Sequence, residues 1–183
     1  MSVRPSARAT PHAVIKIRSL SAARRAGMVE LGPLRFACAL GRSGSRAIKR
    51  EGDGATPRGC FGVARVLYKP DAVRRPRTGL SVAPIRINDG WCDDEKDGNY
   101  NRPVRHPYLA SAERMWRDDG LYDYVVVISH NQRPRIKGRG SAIFMHVAKP
   151  GFLPTEGCIA LARKDLARLL ARLGPRSKIS ISV

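Results

Sequence analysis

Phe-Met-His-Val at residues 144–147 and Pro-Thr-Glu-Gly-Cys-Ile-Ala-Leu at residues 154–161 are the stretches that indicate both the fold and the chemistry of this chain. An apolar segment ends near a histidine, and a turn soon afterwards presents a cysteine. A nearby imidazole can accept the proton of a thiol and hold the thiolate in an ion pair, which makes the sulfur a strong nucleophile. Gly157 lacks a Cβ where the backbone must turn sharply, so the Cys158 amide can point at a developing oxyanion. The pattern predicts acyl transfer by Cys158 with His146 as its base.

A second informative segment lies upstream, where residues 54–61 read Gly-Ala-Thr-Pro-Arg-Gly-Cys-Phe. Together and in this order, the segments resemble the signature of the L,D-transpeptidases, the YkuD-type enzymes of peptidoglycan. In that family a Thr-Pro-x-Gly-x-Phe segment precedes a His, which is followed at a distance by Ser/Thr-x-Gly-Cys and a short aliphatic run. The resemblance covers residues 34–183. It implies a mainly β fold, a β-sandwich or mixed sheet with few helices and one C-terminal helix after the cysteine.

The sequence departs from the family pattern in three places. His146 precedes Cys158 by 158 − 146 = 12 positions, a shorter interval than is usual in the family. Glu156 stands where His or Arg is common, and Ala160 stands where Arg or Asn often follows. Thiol, base and oxyanion-facing amides are all retained. The departures therefore predict a divergent branch, of a proteobacterial kind, with its own acceptor preference or a less covered active site.

The resemblance also implies a mechanism and its partners. The thiolate attacks the bond before the terminal D-residue of a donor stem peptide, leaving a thioester, and an acceptor amine then forms a crosslink of the 3-3 or the 1-3 type. If water attacks instead, the enzyme is an L,D-carboxypeptidase. The carbonyl of Val147 would orient His146, and the amides of Gly157 and Cys158 would form the oxyanion hole. No cofactor is expected, the partners are peptidoglycan stem peptides, and a monomer is expected.

Residues 89–120 differ from the rest of the chain because they combine aromatic residues, prolines, glycines and mixed charges without a clear period. Such a segment in a compact domain is commonly a functional loop or lid, and the alternative is a surface excursion anchored by its aromatic side chains. We expect four residues to contact the substrate, two from this segment and two from the signature segments: Thr155, Tyr100, Trp116 and Met145.

The charge of the chain is extreme, with 34 Lys and Arg residues against 15 Asp and Glu residues and a formal net charge of +19. Such a surface attracts polyanions without specific contacts. Cell-wall peptides carry carboxylates and nucleic acids carry phosphates, so charge alone leaves both open. The alternative from another class is a basic nucleic-acid-binding module. That module ordinarily has aromatic residues among the basic ones on strands, or a reading helix, and the sequence shows neither. We therefore expect no specific nucleic-acid partner.

The cysteines predict neither a metal site nor a fixed disulfide framework. Cys38, Cys60, Cys92 and Cys158 form no Cys-x-x-Cys pair and no zinc-ligand spacing with the histidines. Cys38 falls in an alternating strand and is predicted to be a core thiol. Cys60 and Cys92 lie near turns, and a disulfide between them in an oxidising compartment stays an open alternative. The acidic residues 93–99 have Val104 at the position where a calcium loop closes with Glu, so a polar surface loop is predicted.

Targeting signals are weak in this chain. Residues 1–11 are followed by no apolar run long enough for a signal-peptide core, and no segment approaches the roughly 20 apolar residues of a membrane span. Because peptidoglycan is crosslinked outside the cytoplasmic membrane, the resemblance implies a periplasmic location, and hence export. We expect residues 1–33 to form a basic N-terminal segment with a first strand, part of the domain or leading into it, and residues 34–183 to form the catalytic domain.

Strands dominate the predicted secondary structure. Runs rich in β-branched residues, or alternating apolar with polar, predict strands at 13–18, 34–40, 61–68, 82–87, 122–129, 142–147 and 178–183. Residues 125–128 are apolar without a break, which favours a central strand buried on both faces. The leucines of residues 163–173 follow helical spacing and Gly174-Pro175 ends the pattern, so one helix is predicted there.

Overall fold

The computed structural model describes residues 12–19, 21 and 24–183, so the basic leader at residues 1–11 lies outside the described residues. Its strands are β1 Val14–Ser19, β2 Ala26–Leu31, β3 Leu34–Ala39, β4 Ser45–Arg46, β5 Thr56–Pro57, β6 Gly59–Tyr68, β7 Val82–Pro84, β8 Asp89–Cys92, β9 Pro103–Arg105, β10 Ala112–Arg114, β11 Tyr124–Ile128, β12 Phe144–Val147, β13 Ile159–Leu161 and β14 Lys178–Ser182. The helix α1 spans Arg163–Leu170, and a 3₁₀ turn spans Pro150–Phe152. The predicted mainly β fold with one helix after the cysteine is confirmed.

Eight strands close into a ring, a feature that the sequence did not predict. The main sheet runs in the order β11-β12-β13-β3-β2-β1-β14-β6-β7, and β11 also pairs with β6. Closure leaves the ring strands without an unpaired edge, which is how barrels avoid exposed backbone groups. Two pairs within the ring are parallel, β1 with β14 and β12 with β13, and the second of these pairs positions the site described below.

The N-terminal strands belong to the ring. β1 pairs with β14 on one side and with β2 on the other, and β2 continues into a hairpin with β3. No sequence pattern predicted β2, because its residues Ala-Gly-Met-Val-Glu-Leu combine glycine with only weak alternation. Pairing on both sides holds β2 in place where its own propensity is low.

Two apolar clusters lie on opposite faces of β11, and the predicted burial of this strand on both faces is confirmed, since all five of its residues are buried. The main core contains Ile15, Ile17, Val29, Val126, Ile128, Met145, Ile159, Leu166, Leu169 and Leu173 among others. The second core contains Ile85, Trp91, Met115, Leu121, Tyr122, Val125, Val127 and Phe144. The alternation of side chains along a strand sends neighbouring residues of β11 and β12 into different cores.

Helix α1 is shorter than predicted. Its leucines at 166, 169 and 170 are buried in the main core, as their spacing indicates. After Leu170 the amides of Arg172 and Leu173 bond to carbonyls three residues back, so the last turn tightens before Gly174. Leu173 nevertheless remains fully buried, which explains why the apolar pattern continues past the helix end.

Residues 89–120, for which the sequence showed no period, contain a small antiparallel sheet in the order β10-β8-β9. Asn101, which is 3% exposed, ties this sheet to the ring. Its Oδ1 accepts hydrogen bonds from Trp91 Nε1 at 2.9 Å and from the Ala142 amide at 3.2 Å. Its Nδ2 donates to the carbonyls of His130 and Asn131 at 3.2 and 2.8 Å. The side-chain amide of Asn101 therefore has a partner for both of its donors and for both acceptor sites of its oxygen.

We expect Asn101→Ala to lower the free energy of unfolding by at least about 3 kcal/mol, because several buried donors and acceptors lose their partner together. Asn99→Ala is the matched control, since the side chain of Asn99 is exposed and bonds only to the Tyr108 hydroxyl. We expect that variant to lose less than about 1 kcal/mol. Urea unfolding of both variants measures the difference, and equal losses would contradict the assigned role of Asn101.

Candidate active site

Cys158 and His146 are brought together by the parallel pair β12 and β13. In this pair His146 lies opposite Ala160, and Cys158 precedes Ala160 by two positions. Side chains two positions apart on an extended chain share a face. Cys158 packs against the second core, on the side of β12 that also carries Phe144. The thiol and the imidazole therefore lie on one face of the ring, and both line one pocket of about 400 Å³.

The turn that presents Cys158 is held by two threonine hydroxyls. Thr155 Oγ1 donates to the Cys158 carbonyl at 2.7 Å and accepts from the Gly157 amide at 3.2 Å. Thr56, from the upstream segment, donates to the same carbonyl at 3.5 Å. This explains in physical terms why the two signature segments occur together: the first supports the turn of the second.

Gly157 cannot be replaced without moving the turn. Its φ is +132°, a conformation that L side chains rarely adopt, and a Cβ there would lie 2.7 Å from the Ala55 carbonyl oxygen. The Gly157 amide already donates to Thr155, as described above. Of the two amides that the resemblance assigned to the oxyanion hole, that of Cys158 therefore remains the better candidate.

His146 has a defined tautomer. Its Nδ1 lies 2.8 Å from the Val147 carbonyl oxygen, the contact that the resemblance implied. Since a carbonyl only accepts, Nδ1 carries the proton, and Nε2 of the neutral ring is left as an acceptor. Tyr122 packs edge-on against the imidazole with ring centroids 5.5 Å apart. The ring is thus fixed by a hydrogen bond and an aromatic contact, without a carboxylate partner.

Burial favours the neutral forms of both groups. Desolvation lowers the pKa of His146 to about 4, although the hydrogen bond to Val147 opposes the shift. Desolvation, together with a smaller contribution from the Glu113 carboxylate, likewise raises the pKa of Cys158 to about 12. The thiol donates to the Ala142 carbonyl at 3.3 Å and accepts from the Phe144 amide at 3.3 Å. The resting pair is therefore thiol and neutral imidazole, rather than the ion pair that the sequence alone indicated.

Of the residues predicted to contact substrate, only Thr155 lines the pocket, and its hydroxyl is engaged in the turn. Met145 is fully buried in the main core, because it alternates with His146 and points to the opposite face of β12. Tyr100 is 3% exposed, and its hydroxyl bonds to Glu51 at 2.5 Å. Trp116 packs against the second core under the Lys69 ammonium. The structure does not bring these three side chains to the pocket.

No local sequence pattern indicated the charged part of the site. Glu113 accepts a hydrogen bond of 2.5 Å from the Tyr122 hydroxyl, and Arg117 lies over the Tyr122 ring at 5.2 Å. Lys49 is 4% exposed, pairs with Asp53 at 2.5 Å, and its charge lowers the pKa of Cys158. Glu113 and Arg117 lie in the segment without a period and Lys49 in a basic stretch, so no local pattern distinguished them.

The other cysteines are free thiols. Cys38 is 1% exposed in the main core, which confirms the predicted core thiol, and burial raises its pKa to about 12. Cys60 is exposed whereas Cys92 is buried, and the two are not joined. Within the described part of the chain, no group of His, Cys, Asp and Glu side chains is arranged to hold a metal ion. No helix in that part is both long and apolar enough to cross a membrane.

A mainly β domain that presents a cysteine and a histidine in one pocket has the architecture of a cysteine-dependent acyl-transfer domain. Comparison with family models gives a match to YkuD, the L,D-transpeptidase catalytic domain, over residues 19–181. The chain belongs to this family, whose members are cysteine-dependent L,D-transpeptidases acting on peptidoglycan peptides. Comparisons with curated proteins and with solved structures each gave no match.

We expect alkylation of Cys158 by iodoacetamide to accelerate by about tenfold per pH unit from pH 6 to pH 10, because the thiolate fraction keeps rising until the pH approaches the pKa. The raised pKa of about 12 places any plateau above this range. Mass mapping of peptides separates Cys158 from the exposed Cys60. A plateau below pH 8 would instead show a resting thiolate–imidazolium pair.

Proposed function

We propose that this protein is a peptidoglycan L,D-transpeptidase in which Cys158 is the nucleophile and His146 the general base. The observation that carries the proposal is the shared pocket, into which β12 and β13 bring a thiol and an imidazole whose Nε2 is left as an acceptor. The family assignment supports the reaction class. The neutral resting pair favours general-base activation during attack over a preformed thiolate.

Acylation forms one bond and breaks one. The Cys158 sulfur attacks the carbonyl between an L-centre and the terminal D-residue of the donor stem, while His146 Nε2 takes the thiol proton. The oxyanion is stabilised by the Cys158 amide. The C–N bond then breaks, His146 returns the proton to the leaving amine, and the D-amino acid departs from a thioester acyl-enzyme.

Deacylation reverses the roles of the groups. An acceptor amine attacks the thioester carbonyl and gives a proton to His146, the C–S bond breaks, and that proton restores the thiol. The product is an amide between two stems. The acceptor that we propose is the N-terminal amine of the acceptor's L-Ala, a 1-3 linkage, rather than the side-chain amine of a diamino acid, a 3-3 linkage. The short interval between His146 and Cys158, together with Glu156 and Ala160, supports an atypical acceptor.

The place of action and the alternative reaction follow from the same proposal. Stem peptides are crosslinked outside the cytoplasmic membrane, so we propose that the protein works in the periplasm. If water deacylates the enzyme, the product is a trimmed stem and the protein is an L,D-carboxypeptidase. No observation on the pocket favours water, whereas its carboxylates, treated below, favour an amine.

We expect Cys158→Ala to lower the formation of crosslinked dimers by about a thousandfold or more, since only positioning remains once the nucleophile is lost. Purified stem-peptide fragments are incubated with the enzyme and the products are analysed by mass spectrometry. Cys60→Ala is the matched control, because that thiol is exposed, and it should form dimers at the wild-type rate. Undiminished dimer formation by Cys158→Ala would overturn the assignment of the nucleophile.

We expect tandem mass spectrometry of purified dimers to place the new amide on the N-terminal amine of the acceptor's L-Ala. Fragment ions that place it on the side-chain amine of the diamino acid would reject the 1-3 linkage and support the 3-3 linkage. Recovery of trimmed tripeptides without dimers would support the carboxypeptidase. An inactive protein that binds duplex DNA with a preference for one sequence would support the nucleic-acid-binding alternative.

A further inference from the structure

The active-site pocket is acidic in a strongly basic protein. The sequence holds 15 acidic residues against 34 basic ones, yet four carboxylates and two cations line this pocket. The cations are Lys149 and Arg117, and Arg117 pairs with Asp119 and, at 3.7 Å, with Glu113. The carboxylates are Glu51, Asp93, Glu113 and Glu156. Carboxylates therefore outnumber cations in the pocket lining, the reverse of the chain as a whole.

Three of these carboxylates come from separate segments, and a tyrosine hydroxyl holds two of them in place. Glu113 Oε1 accepts a hydrogen bond from Tyr122, and Glu51 Oε2 accepts one from Tyr100, each at 2.5 Å. Glu51 Oε1 also accepts from the Gly52 amide at 3.3 Å, whereas Glu113 Oε2 is left to accept from a ligand. Asp93 follows β8 and lines the same pocket. Burial raises the pKa of Glu113, and the Asp93 carboxylate adds to that shift, whereas Tyr122 and Arg117 oppose it. Glu156 differs because it is exposed and paired with Arg42.

Two buried oxygens in the pocket wall have no partner. Ser141 is 6% exposed and lines the pocket, and among the described residues nothing hydrogen-bonds its Oγ. The same holds for Asp93 Oδ1, which is shielded from solvent. Buried polar atoms are normally paired, and an unpaired one in a pocket wall can take its partner from a bound ligand. The missing partner of a carboxylate oxygen is a donor, and a cationic donor suits it best.

We propose that Glu113, Asp93 and Ser141 form the subsite that holds the acceptor amine as its ammonium before the amine attacks the thioester. This inference rests on the proposed function and adds which residues recognise the acceptor amine. An ammonium has three donors and one positive charge, which matches two carboxylates and a hydroxyl. The wall shares one pocket with the reacting sulfur, since Glu113, Asp93, Ser141 and Cys158 all line it. The net charge of +19 repels a cationic acceptor at long range, so a local anionic wall is needed to bind it.

The subsite also explains how an amine competes with water. A bound amine has a high local concentration beside the thioester, whereas water has no charge for the wall to select. The wall therefore raises the ratio of crosslinking to hydrolysis without taking part in acylation. The proton that the ammonium loses before attack passes to solvent, and the second proton follows the route through His146 described above.

The test measures acylation and acceptor use separately in Glu113→Gln, in Asp93→Asn and in the double variant. Acylation is followed as release of the terminal D-residue from a tetrapeptide stem and as the mass of the acyl-enzyme. Acceptor use is followed as dimer formation against the concentration of a tripeptide stem. Glu95→Gln is the matched control, because Glu95 is exposed and lies outside the pocket lining.

We expect the acceptor KM of each single variant to rise about tenfold, since each loses one charge-assisted contact, and that of the double variant to rise further. The acylation rate of Asp93→Asn should change by less than threefold, and that of Glu113→Gln should not fall, because the lost carboxylate raises the pKa of Cys158. Glu95→Gln should match the wild type in both measurements. The ratio of hydrolysed to crosslinked product should rise in the same order. Asp93→Asn keeps the test open if Glu113→Gln, which loses charge beside Tyr122, proves poorly folded.

An acceptor KM in the double variant equal to that of Glu95→Gln would overturn the subsite while leaving the proposed function intact. An equal loss in acylation and in acceptor use would also overturn it, because the wall would then act on the first step. Absence of any acyl-enzyme in the wild type would contradict the proposed function itself. The two failures are therefore distinguishable.

Discussion

The carbonyl oxygen of Cys158 is the atom on which the arrangement of the site depends. Two hydroxyls bond to it, Thr155 from the same turn and Thr56 from β5, more than a hundred positions earlier in the chain. Gly157 allows this close approach because a Cβ would meet the Ala55 carbonyl at 2.7 Å. The upstream segment thus fixes the position of the thiol without touching it. A change in either segment moves the sulfur, although only one segment carries it.

Desolvation then decides which chemistry this geometry supports. The same burial that fixes His146 between Tyr122 and the Val147 carbonyl makes its charged form costly, and the thiolate is costly for the same reason. Neither charge persists in the resting site. Charge appears only when an acyl carbonyl arrives to take it up, where the backbone amide of Cys158 can stabilise it. The raised pKa therefore keeps the thiol protonated at rest, and the cost of ionisation falls in the step where a substrate offsets it.

The sequence revealed those features that depend on local residues. Cys158, Gly157 and Thr155 form one turn, β11 is one apolar run, and the leucines of α1 follow one period, so each was accessible to a local pattern. The position of Met145 was also accessible, because the period of a strand sends neighbours to opposite faces and His146 faces the pocket. Closure of the ring, the strand β2 and the buried amide of Asn101 depend on partners that are distant in sequence. No local pattern carries such information.

The charge of this chain shows why composition could exclude little about function. A net charge describes the long-range field, which a polyanion or a cell-wall peptide would feel alike. Recognition takes place within a few ångströms, where four carboxylates and two cations, Arg117 and Lys149, line the pocket. The basic surface and the acidic pocket can therefore serve different partners: the surface a polyanionic polymer of the cell wall, and the pocket an amine. Under the proposed subsite, the basic surface attracts the anionic parts of the substrate and the pocket carboxylates select the amine by its cation.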